Sequence, residues 1–391
     1  MGIAYKLCDC RFNDTRLEEN VPMLINQDIL NLNKSSFSVN DNNKKYSFLE
    51  NLKRKNASNL IIRNYRQYKI RTSFDVTSGL TTPKLQNIKN NDNIIIDIEK
   101  DDSNTLNTTY EIFSHQKTLL YLGEKINGSK EGFGIKIMPN NVKYIGTFKN
   151  DKSEGFGKFI NINKQDIYYG EFSNDQANGF GIYRHKNDSL YYGEWKNDLR
   201  ENFGIEKWRD NSEYIGQFHL GEKNGIGKYI FNDGARYEGE WKKNNLEGFG
   251  IYYYLGNRIY IGQWKNNLKE GYGQFIWKDK IYVGFYKDDK KNGFGIYYWK
   301  KLKKAFMGFW KNGKQYGFGK LINENKNKYG IWINDNLEVS YREEEAFIEL
   351  EKLNLERFSH MFLFSIDDVD NYCNKDDIWQ SLLEYSSQFT I

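Results

Sequence analysis

Residue types on which many enzymes and secreted proteins depend are scarce in this sequence. Its 391 residues include three cysteines, three prolines and four histidines. Three cysteines do not make a disulfide framework, and no apolar run has the length of a membrane-spanning helix or a signal-peptide core. The histidines are dispersed, with no cysteine or second histidine at metal-ligand spacing. We therefore expect a protein that faces the cytoplasm, binds no metal ion and needs no cofactor.

Glycine and aromatic residues are abundant, and they recur at a fixed spacing. One copy of the pattern places Tyr144, Gly146 and Phe148 two residues apart, followed by Gly155 and Gly157. Another places Tyr237, Gly239 and Trp241 before Gly248 and Gly250. Nine copies follow one another at intervals of 22 to 24 residues, starting at Tyr121, Tyr144, Tyr168, Tyr191, Tyr214, Tyr237, Tyr260, Tyr282 and Phe306. A fixed period of this length predicts stacked copies of one small structural unit.

Each copy has the pattern of a β-hairpin. The large residues alternate as on a strand, and turns rich in Asn, Asp and Lys, such as 196–198 and 265–267, tolerate positive φ. A glycine has no Cβ, so an aromatic ring can lie directly over its backbone. These positions use 26 of the 34 glycines, which leaves few for a phosphate-binding loop. Residues 328–332 predict one closing strand.

The repeated phrase resembles the MORN repeat family (membrane occupation and recognition nexus). The resemblance covers about 220 of the 391 residues. It implies a mainly β fold, an elongated, single-layer, twisted antiparallel sheet of about nine hairpins. The first copy has Lys125 at an aromatic position and the last has Phe306 for Tyr, as expected of capping repeats. Resemblance to MORN proteins of apicomplexan-like protists implies a role in cortical membrane–cytoskeleton organisation and cell division, with dimerisation through the end repeats.

The composition predicts five segments. These are a disordered N-terminus over 1–50, a basic helical segment over 51–73, a polar linker over 74–117, the repeat array over 118–340 and a C-terminal helix with an acidic tail over 341–391. Residues 278–328 carry 14 lysines against four acidic residues, whereas 341–391 carry 12 acidic residues against four basic ones. The apolar stripe of the helix is Phe347, Leu350, Leu353, Phe358, Met361 and Phe362. We expect the acidic helix to fold over the basic end of the sheet.

The first ten residues predict lipid attachment. Gly2 is a candidate for myristoylation, and Cys8 and Cys10 are candidates for palmitoylation. Two acyl chains anchor a protein stably, whereas one gives marginal binding. Lys6 stands where the simple myristoylation motif has Ser or Thr. The alternative is a plain disordered terminus.

The basic segment resembles a degenerate calmodulin-binding IQ motif. Its hydrophobic and basic positions are Ile61, Tyr65, Arg66 and Arg71. Ile62 and Gln67 replace the diagnostic glutamine and glycine. The resemblance implies a calmodulin-like partner, and two alternatives remain open: a helix lying on anionic lipid, or a solvated charged helix.

A lysine cluster is the third candidate site. Four lysines occupy one turn of the eighth repeat, and two more lie nearby in sequence: Lys300, Lys301, Lys303 and Lys304, with Lys290 and Lys291. An anionic lipid headgroup would be attracted there. A solvated turn, or one neutralised by the acidic C-terminal helix, is the alternative.

The sequence as a whole favours a non-catalytic scaffold on the cytoplasmic face of a membrane or a membrane cytoskeleton. No nucleophile elbow, kinase loop set or Walker sequence is present, so we expect no enzyme activity. The expected partners are cortical or cytoskeletal proteins. The alternatives are a phosphoinositide-binding module and an adaptor for a calmodulin-like protein. A nucleic-acid partner is disfavoured because the aromatics are needed for the fold.

Overall fold

A computed structural model describes residues 121–323 and 326–374 with their side chains, together with the backbone of residue 120 and of three short strands before it. These residues lie in one structural unit that extends from 84 to the end of the chain. The segments 1–50 and 51–73 lie outside the described residues, as does most of the acidic tail.

The described chain is mainly β. The strands are, in chain order, β1 Ile88–Asn90, β2 Asn93–Ile96, β3 Tyr110–Phe113, β4 Leu120–Ile126, β5 Ser129–Met138, β6 Val142–Lys149, β7 Lys152–Asn161, β8 Asp166–Ser173, β9 Gln176–Arg184, β10 Leu190–Lys196, β11 Leu199–Lys207, β12 Glu213–His219, β13 Glu222–Ile230, β14 Arg236–Lys242, β15 Asn245–Tyr254, β16 Arg258–Lys265, β17 Leu268–Ile276, β18 Lys280–Lys287, β19 Lys290–Trp299, β20 Lys304–Lys311, β21 Lys314–Ile322, β22 Lys328–Ile333 and β23 Asn336–Tyr341. Strands β1–β3 form a small antiparallel sheet within the segment expected to be a polar linker.

Strands β4–β23 form a single open antiparallel sheet in which each strand pairs with its neighbours in the chain. This confirms the predicted sheet of consecutive hairpins. The closing strand expected at 328–332 is β22, but β23 follows it and pairs with it, so the sheet ends on a further hairpin. That hairpin begins 22 residues after Phe306. It has Gly330 and Trp332 at the positions that Gly308 and Trp310 occupy in the preceding copy.

The two-residue turns within the repeats are left-handed at both positions. Asn150 and Asp151 have φ of 48° and 68°, and Asn266 and Asn267 have the same pair of values. Two successive positive φ angles define the type I′ turn, whose twist matches that of the strands and which favours Asn, Asp and Gly. The structure therefore confirms the predicted reason for the Asn- and Asp-rich turns.

These turns also join each repeat to the one before it. The Asp175 carboxylate accepts a hydrogen bond from the Ser153 N–H at 2.8 Å, and the Asp175 N–H donates to the Ser153 carbonyl at 3.1 Å. The same reciprocal pair links Asp198 to Ala177, Asn244 to Lys223 and Asn267 to Leu246. The hydrogen-bonding groups of each turn are therefore satisfied by the neighbouring repeat, so a single repeat lacks these bonds when it stands alone.

A row of paired glycines crosses the sheet. Gly239 faces Gly250 within one hairpin, and Gly250 faces Gly262 of the next repeat. The ring of Tyr237 lies over this row. A Cβ on Gly239 would stand 2.5 Å from the Gly250 Cα and 2.5 Å from the Tyr237 hydroxyl oxygen, which is closer than real Cβ contacts allow. The predicted role of these glycines is confirmed. Gly248 differs, since it has a φ of 61° and lies where the register shifts.

The tyrosines above the glycines form a buried aromatic ladder. Tyr237 meets Trp241 of its own repeat and Trp264 of the next edge to face, with ring centroids 5.4 and 5.6 Å apart. Its hydroxyl donates to the Glu240 carbonyl at 3.0 Å. Desolvation raises the pKa of this hydroxyl well above its usual range, so the group stays a neutral donor. The tyrosines of the other copies repeat this arrangement, so these rings are used in building the sheet.

Three short helices cover the other face of the last strands. They are α1 Glu343–Lys352, α2 Ser359–Phe362 and α3 Ile366–Asn374. Leu350, Met361, Phe362 and Val369 pack on a cluster of buried sheet residues that includes Phe318. The predicted C-terminal helical region over the basic end is confirmed, but as three helices: Asn354, at a φ of 54°, turns the chain after α1, and reciprocal hydrogen bonds between Ser365 and Asp368 start α3.

Polar contacts fix the position of these helices. The buried Lys320 ammonium donates to the Phe362 and Phe364 carbonyls at 2.8 and 3.0 Å. The Gln274 amide donates to the Cys373 carbonyl at 3.0 Å. Desolvation lowers the pKa of Lys320, and the carbonyls at the end of α2 provide the hydrogen bonds that its ammonium has lost from water. The helices therefore have one defined position on the sheet.

Candidate interaction surface

A second set of aromatic rings lies on the ladder side of the sheet and is only half-buried. We call it the aromatic stripe: Trp208, Tyr229, Phe231, Tyr252, Tyr254, Phe275, Trp277, Tyr297 and Trp299. Consecutive rings are in contact, from the Trp208–Tyr229 pair at 5.4 Å to the Tyr297–Trp299 pair at 4.6 Å. The closest pair is Phe275 and Trp277 at 4.1 Å. Rings that are partly open to solvent retain surface that a partner can bury.

Cationic side chains lie over rings beside the stripe. The Lys291 ammonium is 3.8 Å from the centroid of Trp310 and 4.5 Å from that of Tyr297. The Lys223 ammonium is 4.9 Å from Trp208 and 5.3 Å from Tyr229. Such contacts stabilise a cation by about 0.5–2 kcal/mol. The same position of the repeat holds a leucine in the sixth copy, Leu246, which is also buried in the ladder.

Replacing Lys291 is expected to stabilise the protein at neutral pH. Desolvation lowers the pKa of Lys291 from 10.5 to about 8, so below pH 8 the fold carries the cost of a buried ammonium. That cost disappears as the pH rises from about 8 to 10.5, where the unfolded chain also loses its proton. After allowance for the lost ring contacts, Lys291→Leu should raise the unfolding free energy by about 1 kcal/mol at pH 7.

Urea denaturation at pH 7 and pH 10.5 measures this difference. The gain of the leucine variant over wild type should shrink towards zero at the higher pH. Lys290→Leu is the matched control because Lys290 is the exposed neighbour on the same strand. An equal gain at both pH values would show that the buried charge is not the cause.

The fourth repeat interrupts the aromatic surface with a groove of about 460 Å³. We call it the repeat-four groove; its lining includes Tyr183, His185, Leu190, Trp195, Leu199, Arg200, Glu206 and Leu220. An Arg200 guanidinium nitrogen lies 2.7 Å from a Glu206 carboxylate oxygen, and a second donates to the Gly221 carbonyl at 2.6 Å. Both charged side chains are therefore held by the protein's own contacts.

Sequence reasoning did not identify this groove, although a signal was present. The fifteenth residue after the repeat tyrosine is Tyr183, Tyr229, Tyr252, Phe275 and Tyr297 in other copies, and it is Glu206 in the fourth. The same copy has Asn202 at the only missing glycine of the paired positions. Asn202 keeps the left-handed backbone there, with a φ of 53°, and donates to Glu194 at 2.9 Å.

The predicted lysine site is divided by the fold. Lys290 and Lys291 begin β19, whereas Lys300, Lys301 and Lys303 lie in the turn after its end and Lys304 begins β20. A ten-residue strand separates the two groups by roughly 30 Å. Four of the six lysines thus share one turn. At its tip, Leu302 is 68% exposed.

The other predicted sites cannot be placed on this structure. Gly2, Cys8 and Cys10 lie outside the described residues, as do Ile61, Tyr65, Arg66 and Arg71. Within 121–323 and 326–374, no three acidic, His or Cys side chains are grouped as a metal site. No helix in this part of the chain has the length and apolarity to cross a membrane.

The fold and surface define a repeat protein whose consecutive hairpins share one sheet. The family model described as MORN repeat matches eight segments: 144–163, 168–189, 191–213, 214–236, 237–254, 260–280, 282–301 and 306–328. This chain therefore carries MORN repeats, and such repeats are protein- or membrane-interaction modules. The copy at Tyr121 lies before the matched segments but has the same geometry, with its hydroxyl donating to the Glu124 carbonyl at 2.9 Å.

Comparison with other proteins adds little to this assignment. No curated protein sequence matches the chain. Among solved structures, one match is the TCP domain of SAS-4 (dCPAP) from Drosophila melanogaster in complex with a proline-rich motif of Ana2 (dSTIL). It is 11% identical, covers 38% of this chain and 79% of that one, and has a TM-score of 0.24. A similarity this low carries no argument about function.

Proposed function

We propose that this protein is a non-catalytic scaffold that organises proteins at a membrane or a membrane-associated cytoskeleton. The aromatic stripe is the observation that carries the proposal. Its rings lie beside the buried ladder but do not cover the glycine row, and Tyr, Trp and Phe are the residues enriched at protein interfaces. The stripe continues from strand to strand, so an extended surface is available to more than one partner.

A variant of the stripe tests the protein-binding part of this proposal. Phe231, Tyr254 and Trp277 lie at the far end of their repeats, so changing all three to Ser removes ring surface without a clash. Capture of partners by the immobilised full chain should fall at least about tenfold, equivalent to 1.4 kcal/mol. Ile348→Ser, Leu353→Ser and Leu363→Ser together form the control, since they remove three exposed apolar side chains from the helical region. Equal capture by both variants would remove the stripe as the binding surface.

The membrane part of the proposal rests on Gly2, Cys8 and Cys10 and has a separate test. Wild-type protein is expected in the membrane fraction of cells. Changing Cys8 and Cys10 together to Ala should move it to the soluble fraction, because the single acyl chain then left on Gly2 anchors weakly, and Gly2→Ala combined with either cysteine change should do the same. A soluble wild type would leave a scaffold without a lipid tether.

Binding of anionic lipid is the second candidate function, favoured by the turn at Lys300–Leu302. An exposed leucine flanked by lysines suits a lipid surface, and each lysine near an anionic membrane contributes about 1 kcal/mol. Changing Lys300, Lys301, Lys303 and Lys304 to Glu should then abolish flotation with phosphoinositide vesicles. The matched control changes Lys242, Lys243, Lys265 and Lys287, at the opposite edge of the sheet. Flotation unaffected by the first change would exclude this function.

A calmodulin-like partner is the third candidate, and it rests on the resemblance of Ile61, Tyr65, Arg66 and Arg71 to an IQ motif. The test is a peptide of residues 56–72 titrated with calmodulin, with and without calcium. Binding that is lost when both arginines are changed to Glu would support the adaptor function. No binding in either condition would remove it.

A further inference from the structure

The repeat-four groove is the place where a ring is missing from the repeated surface. Copies on both sides have Tyr183 and Tyr229 at the position that Glu206 occupies. Tyr183 contacts the ring of His185 at 6.4 Å, and Tyr229 contacts Trp208 at 5.4 Å, but no ring connects these two pairs at Glu206. The neighbouring copies thus present a ring where this copy presents Glu206, beside Trp195 and Tyr183 on the groove lining.

The rim of the groove carries an exposed leucine in an unfavourable conformation. Leu220 is 62% exposed and has a φ of 50°. The corresponding turn position is Asn in six of the nine copies, and a left-handed backbone costs most residues roughly 1 kcal/mol relative to Asn or Gly. Leu199, 42% exposed, lines the same rim. Two exposed leucines and a strained turn at one place indicate a surface adapted to contact.

The charges of the groove favour a basic occupant. Asp198, Glu206 and Glu222 line it, against one arginine that is already paired with Glu206. His185 lines it too, and its Nδ1 is buried with no hydrogen-bond partner within the described part of the chain. The other ring nitrogen, Nε2, lies 3.8 Å from an Asp166 carboxylate oxygen. The lining therefore carries more acidic than basic side chains, which favours a basic occupant.

We propose that the repeat-four groove receives an aromatic side chain from an extended, basic segment of a partner protein. The ring lies beside Glu206, where the neighbouring copies have the rings of Tyr183 and Tyr229, and apolar neighbours cover Leu199 and Leu220. Basic residues beside the aromatic residue face Asp198 and Glu222. This inference rests on the proposed scaffold function and gives one of its partners a defined chemical character.

The test measures binding of a synthetic peptide to the full chain. The probe is acetyl-Arg-Gly-Tyr-Gly-Arg-amide, followed by ligand-detected NMR, and the comparison peptides replace Tyr by Phe or Ala, or both Arg by Glu. We expect the tyrosine and phenylalanine peptides to bind with similar affinity, and the alanine and glutamate peptides at least about tenfold more weakly. Equal binding of the tyrosine and alanine peptides would overturn the proposal.

Two variants distinguish an effect on peptide binding in the groove from an effect on the stability of the fold. Glu206→Tyr combined with Arg200→Lys recreates the Lys223–Tyr229 arrangement and fills the gap from within, so peptide binding should fall at least about tenfold. Leu220→Asn restores the usual turn residue, so it should raise the melting temperature while weakening peptide binding. A merely structural Leu220 would change stability alone, and unchanged binding in both variants would exclude the groove.

Failure of the groove proposal can be distinguished from failure of the proposed scaffold function. If the peptide does not bind but the aromatic-stripe variant still loses its partners, only the groove assignment is wrong. If vesicles of phosphatidylserine compete with the peptide in wild type but not in Leu220→Asn, a lipid surface occupies the groove and the peptide proposal is overturned.

Discussion

Gly239→Val is expected to lower the free energy of unfolding by about 3 kcal/mol or more. The first added carbon already overlaps the Gly250 Cα and the Tyr237 hydroxyl, and it lies 2.6 Å from the Phe249 carbonyl oxygen. Two of these obstacles are backbone atoms of the paired strand, so neither can move without breaking the ladder. The loss should spread to adjacent repeats because their turns are bonded to one another.

Urea denaturation of the full chain, followed by circular dichroism, measures this effect. Gly256→Asn is the control, because Gly256 has a φ of 73° with open space around its Cβ position, and Asn occupies similar turns elsewhere in the sheet. We expect the control to stay within about 1 kcal/mol of wild type. An unchanged unfolding curve for Gly239→Val would refute the role given to the glycine row.

Phe362→Ala is expected to cost about 3–5 kcal/mol and to release the C-terminal helices from the sheet. Phe362 is fully buried, and its ring meets Phe318 edge to face at 5.1 Å. Its loss also weakens the position of the backbone carbonyl that accepts from Lys320. Release of the helices would uncover apolar sheet residues such as Ile296 and Met307, which are otherwise buried.

Hydrogen exchange of α1–α3, together with binding of a hydrophobic dye, reports this release. Leu363→Ala is the matched control, since the next residue is 66% exposed and its truncation should cost less than about 0.5 kcal/mol. Faster exchange in the helices of Phe362→Ala, with β4–β12 unchanged, is the expected pattern. Equal exchange in both variants would show that Phe362 does not hold the helices.

The architecture could be predicted because the same residue types, with the same conformational requirements, recur in each repeat. Each hairpin must pair two glycines beneath a tyrosine ring, and it must place Asn or Asp in a left-handed turn. One hairpin geometry meets both requirements. The packing of an acidic helical region on a lysine-rich end followed from charge and from the apolar stripe. Its division into three helices did not, because local features set the two breaks: the left-handed Asn354 after α1 and the cap formed by Ser365 before α3.

The candidate sites were harder to predict because proximity in sequence differs from proximity in a sheet. Lys291 and Lys300 are nine residues apart, yet the strand places them at opposite edges. The repeat-four groove depends on Arg200 and Glu206 of β11 and on Leu220 in the turn between β12 and β13. The sequence shows the aromatic residues of the stripe, but it does not show that they are only partly buried. Their exposure depends on which of the other rings fill the buried ladder.

The most direct test of the scaffold proposal is a two-step purification that asks whether two partners occupy one chain at once. The full chain is captured first through its own tag, and the complex is then captured through a tag on the most abundant partner. We predict that the second step recovers this protein together with at least one further partner. The triple Ser variant at Phe231, Tyr254 and Trp277 should lose that complex. Recovery of a single partner, or of the same set by the variant, would contradict the account.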